Sequence, residues 1–304
     1  PNIWLRGNAW EIKAKMNSEL PDLTTMVNYR DDSNPMNIIL GNTQLRNIHY
    51  YDIEGGKTFE GKKHSRLNIN TGYHQTDNAV AYSLVFDKQT GVSTVQPISV
   101  NGNYRMDLGI GYTRPLDKKE KLSIDNQASF NYNHNVDMAM VQGATQSQRS
   151  IVNNWKISNV LKLNYRLDDN YEFTLHGGGT YYLIKSQREG FNNIHAGDYN
   201  IGMNAQITLP WKLQLTTDLT MFARRGYQLS EMNTTDWIWN AQLSRSFINK
   251  KLLVKLQGFD ILRQLSNTQY LMNAQGRTET WNNSIPRYVM LSLSWRFNVN
   301  PKKK

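Results

Sequence analysis

Apolar and polar residues alternate along most of this chain. From Tyr288 to Phe297, Val289, Leu291, Leu293, Trp295 and Phe297 are apolar or aromatic, while Ser292, Ser294 and Arg296 between them are polar. Side chains on a strand point to opposite sides in turn, so this period gives one greasy face and one wet face. Leu67, Ile69 and Tyr73 share a parity against Arg66, Asn68, Asn70 and His74. Tyr104, Met106, Leu108, Ile110 and Tyr112 alternate with Arg105, Asp107, Gly109 and Gly111. Leu122, Ile124, Ala128, Phe130 and Tyr132 alternate with Ser123, Asp125, Gln127, Ser129 and Asn131. Further strands are predicted over 157–166, 171–181, 199–207, 213–221, 237–247 and 252–256, with a fainter alternation at 10–16 and 80–86. The pattern predicts about twelve strands, many longer than the five or six residues usual in globular sheets.

The connections between these segments alternate in length. Short turns are predicted at Gln75–Asn78, Leu116–Lys121, Asp168–Asn170, Pro210–Trp211 and Asn249–Lys251. Longer loops are predicted at Asp87–Asn101, Asp137–Ser150, Ser186–Gly197, Tyr227–Asp236 and Leu265–Pro286. Short periplasmic turns and longer external loops are the rhythm of an outer-membrane barrel, whereas a sandwich has no reason to keep it. With Phe297 at the periplasmic end, every short turn becomes periplasmic. Pro21, Pro35, Pro97, Pro115, Pro210, Pro286 and Pro301 fall in loops, turns or segment ends, where no ladder hydrogen bond is lost. Trp211, Trp237, Trp239 and Trp295 sit near strand ends, as interfacial girdles would require. Asn126, Asn153, Asn159 and Arg245 fall on the predicted lipid face. A β-bulge that shifts parity is expected at the asparagines, and Arg245, close to a turn, is expected to snorkel to the interface.

Composition agrees with this reading. The chain has 304 residues, a net charge of +10 and no cysteine, and its mean hydropathy is -0.63. No run approaches the roughly 18 apolar residues a transmembrane helix needs, but a barrel needs only alternate residues to be apolar. The lack of cysteine excludes disulfides and thiolate metal sites. Basic residues are spread over turns and polar strand faces, with only Lys302, Lys303 and Lys304 clustered, and no recognised binding motif accompanies them. Nucleic acid is therefore not expected as a partner. The opening Pro1-Asn-Ile-Trp-Leu-Arg-Gly lacks a basic region followed by an apolar core, so a mature chain or a fragment is expected.

Candidate chemistry is sparse. His49, His64, His74, His134, His176 and His195 show no paired metal-ligand spacing. Asp31-Asp32-Ser33-Asn34 before Pro35 reads as a turn, since it lacks the full pattern of a calcium loop. Gly177-Gly178-Gly179 lies inside a strand, with no Lys-Ser/Thr after it to make a phosphate loop. Ser129 and His176 carry nothing local to join them as a hydrolase. No enzymatic activity, metal site or cofactor is expected. Arg66, Arg105, Asp107, Asp125, Arg166, Asp218 and Arg224 are expected to form a lumen-facing polar wall. Such residues contact the plug or substrate in a plugged barrel and tune selectivity in an open one.

Three stretches carry a resemblance. Leu20 to Leu45, ending in the box Gly41-Asn42-Thr43-Gln44-Leu45, is similar to the segment of TonB-dependent receptor barrels that ends in Gly-Asn-Pro-x-Leu, with Thr43 where proline is usual. Gly258-Phe-Asp-Ile-Leu-Arg-Gln264 resembles the penultimate strand of those barrels, and Arg287 to Asn298 resembles their closing strand. The resemblance runs from about Leu20 to Asn298 and is closest to the outer-membrane β-barrel subfamily related to these receptors. It implies an assembly signal at Tyr288, Leu291, Leu293, Trp295 and Phe297, read by the barrel-assembly machinery. It further implies outer-membrane lipid as surroundings, a TonB complex reached through an N-terminal region not found here, and a possible surface lipoprotein partner.

The expected fold is an all-β transmembrane antiparallel barrel over residues 1–304, the C-terminal half of a larger barrel or, as the alternative, a complete barrel of about twelve strands, in the outer membrane of a Gram-negative bacterium. The implied function is nutrient uptake, with ligand contacts expected in the Asn17–Gly61 and Leu265–Pro286 loops. A passive pore or structural barrel without a plug, and a soluble secreted β protein binding glycans, remain alternatives.

Overall fold

The alternating segments pair as long antiparallel ladders. The computed structural model describes residues 2–6, 10–141, 143–265, 268–272, 277–281 and 285–297. In chain order the first strands are β1 (Asn2–Arg6), β2 (Glu11–Glu19), β3 (Arg30–Asp31), β4 (Asn37–Leu40), β5 (Ile48–Glu60), β6 (Arg66–Asp77), β7 (Ala79–Phe86) and β8 (Ser93–Val100). Then come β9 (Asn103–Pro115), β10 (Leu122–Ala139), β11 (Gln148–Asp168), β12 (Tyr171–Ser186), β13 (Ile194–Leu209) and β14 (Leu213–Arg225). The last are β15 (Thr235–Phe247), β16 (Leu252–Phe259), β17 (Thr268–Met272), β18 (Arg277–Trp281) and β19 (Tyr288–Trp295).

Thirteen of them form one sheet in the order β1-β2-β5-β6-β9-β10-β11-β12-β13-β14-β15-β16-β19. This is the barrel wall. A four-stranded sheet, β3-β4-β8-β7, stands beside its outer end, and β17 and β18 form a hairpin. In the small sheet β4 and β8 run parallel, so the loop after β2 and the loop after β6 are woven together. The loop after β10 joins them, since Phe86 N donates to Thr145 O at 2.6 Å and Ser147 N to Leu84 O at 2.8 Å.

Three expectations are corrected here. Gln75–Asn78 is not a periplasmic turn: β6 ends there at the outer side, and the periplasmic turn lies between Glu60 and Arg66. The segment 80–86 is not part of the wall but is β7 of the outer sheet. Most of the second half of the expected Asn17–Gly61 loop is the wall strand β5. Its outward parity, His49, Tyr51, Ile53, Gly55, Lys57 and Phe59, is too polar and glycine-rich to show a greasy stripe. The tail Lys302–Lys304, Pro301 and Asn298 lie outside the described residues, as does part of the Leu265–Pro286 loop.

The apolar face has no protein packed on it. Ile157, Leu175, Ile201 and Met203, in the middle of the wall, are 52%, 50%, 50% and 49% exposed. A patch this large on a water-soluble surface would drive association. In a bilayer it meets hydrocarbon, while each wall strand from β2 to β16 is paired to a neighbour on both sides, as a membrane crossing requires. Among the described residues no helix is long and apolar enough to cross a membrane, so the crossing falls to the strands. Tyr73, Tyr104, Tyr132 and Trp155, on successive strands, touch ring to ring with centroids 6.0, 5.8 and 5.0 Å apart. They form an outer aromatic girdle, with Trp237 and Trp239 at the outer half of β15 and Trp211, Phe247 and Trp295 at the other end. From Trp155 to Tyr165 the strand covers about 33 Å at ~3.3 Å per residue. A tilt of about 40° reduces that to the ~25 Å height of an apolar band.

The asparagines on this face need no bulge. The β10–β11 register runs unbroken from Leu122 to Ala139. Asn126 Nδ2 donates to Asn159 Oδ1 at 3.0 Å and Asn159 Nδ2 donates back to Asn126 Oδ1 at 3.3 Å. Asn153 Oδ1 accepts from the Tyr132 hydroxyl at 2.8 Å. Parity is kept, and the amides satisfy one another or their aromatic neighbours. Arg245 lies with its guanidinium 4.8 Å from the Phe247 ring centre, at the last turn of β15.

Candidate functional site

The inner face of the wall draws its polar groups together where β5, β6, β9 and β10 are neighbours. Asp52 stands opposite His74, and His74 opposite Arg105; one pair further along, Glu54 faces Gly72 and Gly72 faces Asp107. His74 uses both ring nitrogens, Nδ1 at 2.7 Å from Asp52 Oδ1 and Nε2 at 3.4 Å from Asp107 Oδ2. Arg105 Nε donates to Asp107 Oδ2 at 2.8 Å, and Asn131 Nδ2 donates to its Oδ1 at 2.6 Å. Asp107 thus sits among side chains of three strands, hydrogen-bonded to Arg105 and Asn131 and within 3.4 Å of His74. Gly72 makes this possible, because a Cβ there would lie 2.9 Å from His74 Nε2.

Beside this chain runs a groove of about 690 Å³, bordered by Glu11, Lys13, Glu54, His74, Asp107 and Asn131. Gly56 and Gly109 form part of its lining. A Cβ on Gly109 would meet nothing within 4 Å, so the groove is open above it. Lys13 Nζ lies 3.8 Å from Glu54 Oε2 across the groove's edge. The arrangement offers donors and acceptors of both charge signs over a low floor, which suits a polar solute with many hydrogen-bonding groups. Among the described residues no three acidic or histidine side chains are grouped to hold a metal ion.

Arg66, Arg105, Asp107, Asp125, Arg166, Asp218 and Arg224 all have the polar-face parity of their strands. Only Arg105 and Asp107 meet. Arg66 pairs with Glu60 at 3.2 Å and Arg166 with Glu172 at 3.6 Å, both toward the periplasmic end. Asp125 accepts from Thr113 at 2.8 Å, and Asp218 accepts from Asn240 at 2.9 Å. Arg224 lies 3.6 Å from Asp198 near the mouth.

At that mouth a second group of inner-face residues is apolar. Val152, Ile184, Ile194 and Ala196 form a buried cluster, and Phe191 and Tyr227 from two outer loops pack on it. Those loops therefore fold inward. The Tyr227 hydroxyl donates to Asp198 Oδ1 at 2.9 Å. Burial, with the Asp198 carboxylate beside it, pushes the Tyr227 phenol above its ordinary range and keeps it a donor.

The resemblance motifs have local structural work. Gly41 lies against the Val27 carbonyl, where a Cβ would collide. Asn42 Nδ2 donates to Pro97 O at 2.8 Å and ties the first outer loop to β8. Asp260 is buried at the end of β16 and accepts from Gln264 N and Leu265 N, each at 3.0 Å. Gln264 Oε1 in turn accepts from Trp237 N at 2.7 Å, extending the ladder of β15 beyond the end of β16. Of the closing-strand residues, Leu291, Leu293 and Phe297 are 64%, 69% and 82% exposed, because β19 has a described neighbour on one side only. In the turn expected at Asp31–Asn34, Asp31 Oδ1 accepts from Ser33 N at 3.0 Å, an ordinary Asx turn.

The groove residues His74, Asp52, Glu54 and Lys13 were not singled out by sequence reasoning. Half the signal was present in the polar parity of Asn68, Asn70 and His74; the other half lay on β5, which did not read as a strand.

The family model for the outer membrane protein beta-barrel family matches residues 6–178 and 145–295 of this chain. No curated protein matches it.

Proposed function

The chain belongs to the outer membrane protein beta-barrel family, and from that premise we propose that it forms the wall and mouth of an uptake receptor of the TonB-dependent kind, taking in a polar nutrient. The groove on the inner face carries this reading: it is large enough for a small solute, at about 690 Å³, and its border alternates cationic, anionic and amide groups. Polar solutes are oriented by such groups at fixed positions in a largely pre-formed cleft. The loops that hold Phe191 and Tyr227 pack on the inner-face cluster of β11 to β13, at the mouth of the wall. Energy coupling through a TonB complex, and a surface lipoprotein partner, belong to the same proposal and rest on the resemblance of the Gly41–Leu45, Gly258–Gln264 and Arg287–Asn298 stretches.

The test uses cells that lack the gene, complemented with wild type or with Gly109→Trp, which fills the groove floor. Growth is scored on a panel of single polar nutrients, with and without a protonophore. Loss of growth on a nutrient in the deletion and in Gly109→Trp, with uptake stopped by the protonophore, supports the reading. Wild-type growth of Gly109→Trp would remove the groove from the mechanism. Uptake that persists without a proton gradient would indicate a passive pore.

A further inference from the structure

The groove continues a single row of residues that crosses the wall. Glu54 stands opposite Gly72, Gly72 opposite Asp107, Asp107 opposite Asn131 and Asn131 opposite Lys156, on β5, β6, β9, β10 and β11 in turn. One pair closer to the periplasm the floor carries no charge. Asn70, Gly109, Ser129 and Ser158 follow one another there.

The two ends of the row differ in sign. At the β2–β5 end the groove is bordered by two carboxylates, Glu11 and Glu54, and one ammonium, Lys13. Lys15 faces Asp52 one pair further out. In the middle, His74, Arg105 and Asp107 find partners among themselves. At the other end Lys156 is exposed, with its ammonium 5.9 Å from the centre of the Tyr182 ring and no carboxylate within ion-pair distance among the described residues. The next charges beyond it, Asp198 and Arg224, lie 3.6 Å from each other.

Charges of opposite sign, separated by a neutral hydrogen-bonding floor, fit a ligand with an ammonium at one end and a carboxylate at the other. Neighbouring strands are ~4.8 Å apart, so four spacings place Glu54 and Lys156 about 19 Å from each other along the wall. An extended peptide rises ~3.3 Å per residue and covers that distance in about six residues. Its backbone N–H and C=O groups suit Asn70 and Asn131, whose side-chain amides both donate and accept. A neutral glycan would leave Lys156 without an anion, and a polyanionic one would meet Glu11, Glu54 and Asp107. Among the described residues the groove's lining holds no Tyr, Trp or Phe on which a sugar ring could stack.

We propose that the groove and Lys156 form one site for a short extended peptide of about six residues, with its ammonium end at Glu11 and Glu54 and its carboxylate at Lys156. The proposal names the polar nutrient of the uptake reading and rests on that reading.

The test takes protein extracted from outer membranes into neutral detergent and titrates it with a hexapeptide of alternating glycine and serine, reading bound peptide by native mass spectrometry. Wild type should bind it, and blocking either end, by C-terminal amidation or N-terminal acetylation, should weaken binding on the order of tenfold. Lys156→Gln should weaken the free peptide by the same factor and erase the difference between free and amidated peptide, which a merely structural role would not do. Lys162→Gln, on the inner face nearer the periplasm, should leave binding unchanged. Should Lys156→Gln fail the heat-dependent gel shift that reports folding, the end-blocked peptides on wild type decide alone. Equal binding of a peptide blocked at both ends, equal binding of the neutral glycan maltohexaose, or undiminished binding by folded Lys156→Gln would each overturn the proposal. Peptide binding, with growth untouched in Gly109→Trp, would leave this site standing and remove only the transport reading. Growth lost in Gly109→Trp, without peptide binding to wild type, would keep that reading and remove this one.

Discussion

Asn126 and Asn159 exchange hydrogen bonds through their side-chain amides, at 3.0 and 3.3 Å, on the face of the wall that meets lipid. Each amide is the other's substitute for water. Removing Asn126 leaves Asn159 without its partner, removing Asn159 leaves Asn126 only the Val160 carbonyl, and removing both removes the need. Asn126→Ala or Asn159→Ala should each cost about 1–2 kcal/mol, and the double variant should cost less than the sum, with a coupling of about 0.6 kcal/mol or more. Urea unfolding of the four proteins in one detergent measures this; strictly additive losses would mean the pair does not interact.

Leu219 tests the outward face at mid-height. It stands opposite Met203 and Trp239, in the middle of β14. Leu219→Arg should lower stability by about 2–4 kcal/mol, the cost of a cation at the bilayer midplane. Gln206→Arg, on the inner face of the neighbouring strand, should be mild. The comparison needs only folded fractions on a gel across a urea series.

Asp260 tests the corner that ends β16. Its carboxylate satisfies two backbone N–H groups while only 3% exposed. Asp260→Ala should cost about 2–4 kcal/mol, because both donors lose a charged acceptor. Asp260→Asn, which keeps one carbonyl oxygen, should fall between.

The β9–β10 turn supplies a pH dependence. The backbone N–H of Leu122, with that of Lys119, holds the Asp117 carboxyl below the usual carboxylate range. A depressed folded value stabilises the turn above the unfolded value of about 3.9, and that contribution disappears as pH falls through the lower folded value. The stability difference between wild type and Asp117→Ala should therefore be constant from neutral pH down to about 4 and shrink below it. A difference that grew on acidification would contradict the assignment.

The barrel was legible wherever one face was clean. β9, β13 and β19 carry clean greasy stripes, β10 carries one broken only at Asn126 within the girdles, and their pairing follows the parity read from the sequence. β5 was not legible, since Gly55 and Lys57 interrupt its outward stripe, and the groove went unseen with it. β7 misled for the opposite reason: Val80, Tyr82, Leu84 and Phe86 share one parity, yet that strand packs in the outer sheet and not in the wall. Periodicity reports that a strand has two unlike faces; it does not say whether lipid or protein lies on the apolar one. The Asn126–Asn159 pair was invisible for another reason, because satisfaction of a polar group depends on a neighbour more than thirty residues away, an interval no local pattern encodes.

The thirteen strands of the wall alternate in direction, so the first and the last point the same way. β1 and β19 both descend toward the periplasmic end and cannot seal antiparallel to one another. Parity arithmetic then ties the seam to the count. A wall sealed by antiparallel ladders throughout takes an odd number of further strands between β1 and β19, giving an even total, whereas a direct join of these two edges would be a parallel seam in an odd-numbered barrel. Counting strands in the closed barrel therefore reveals the chemistry of its seam without resolving a single hydrogen bond there.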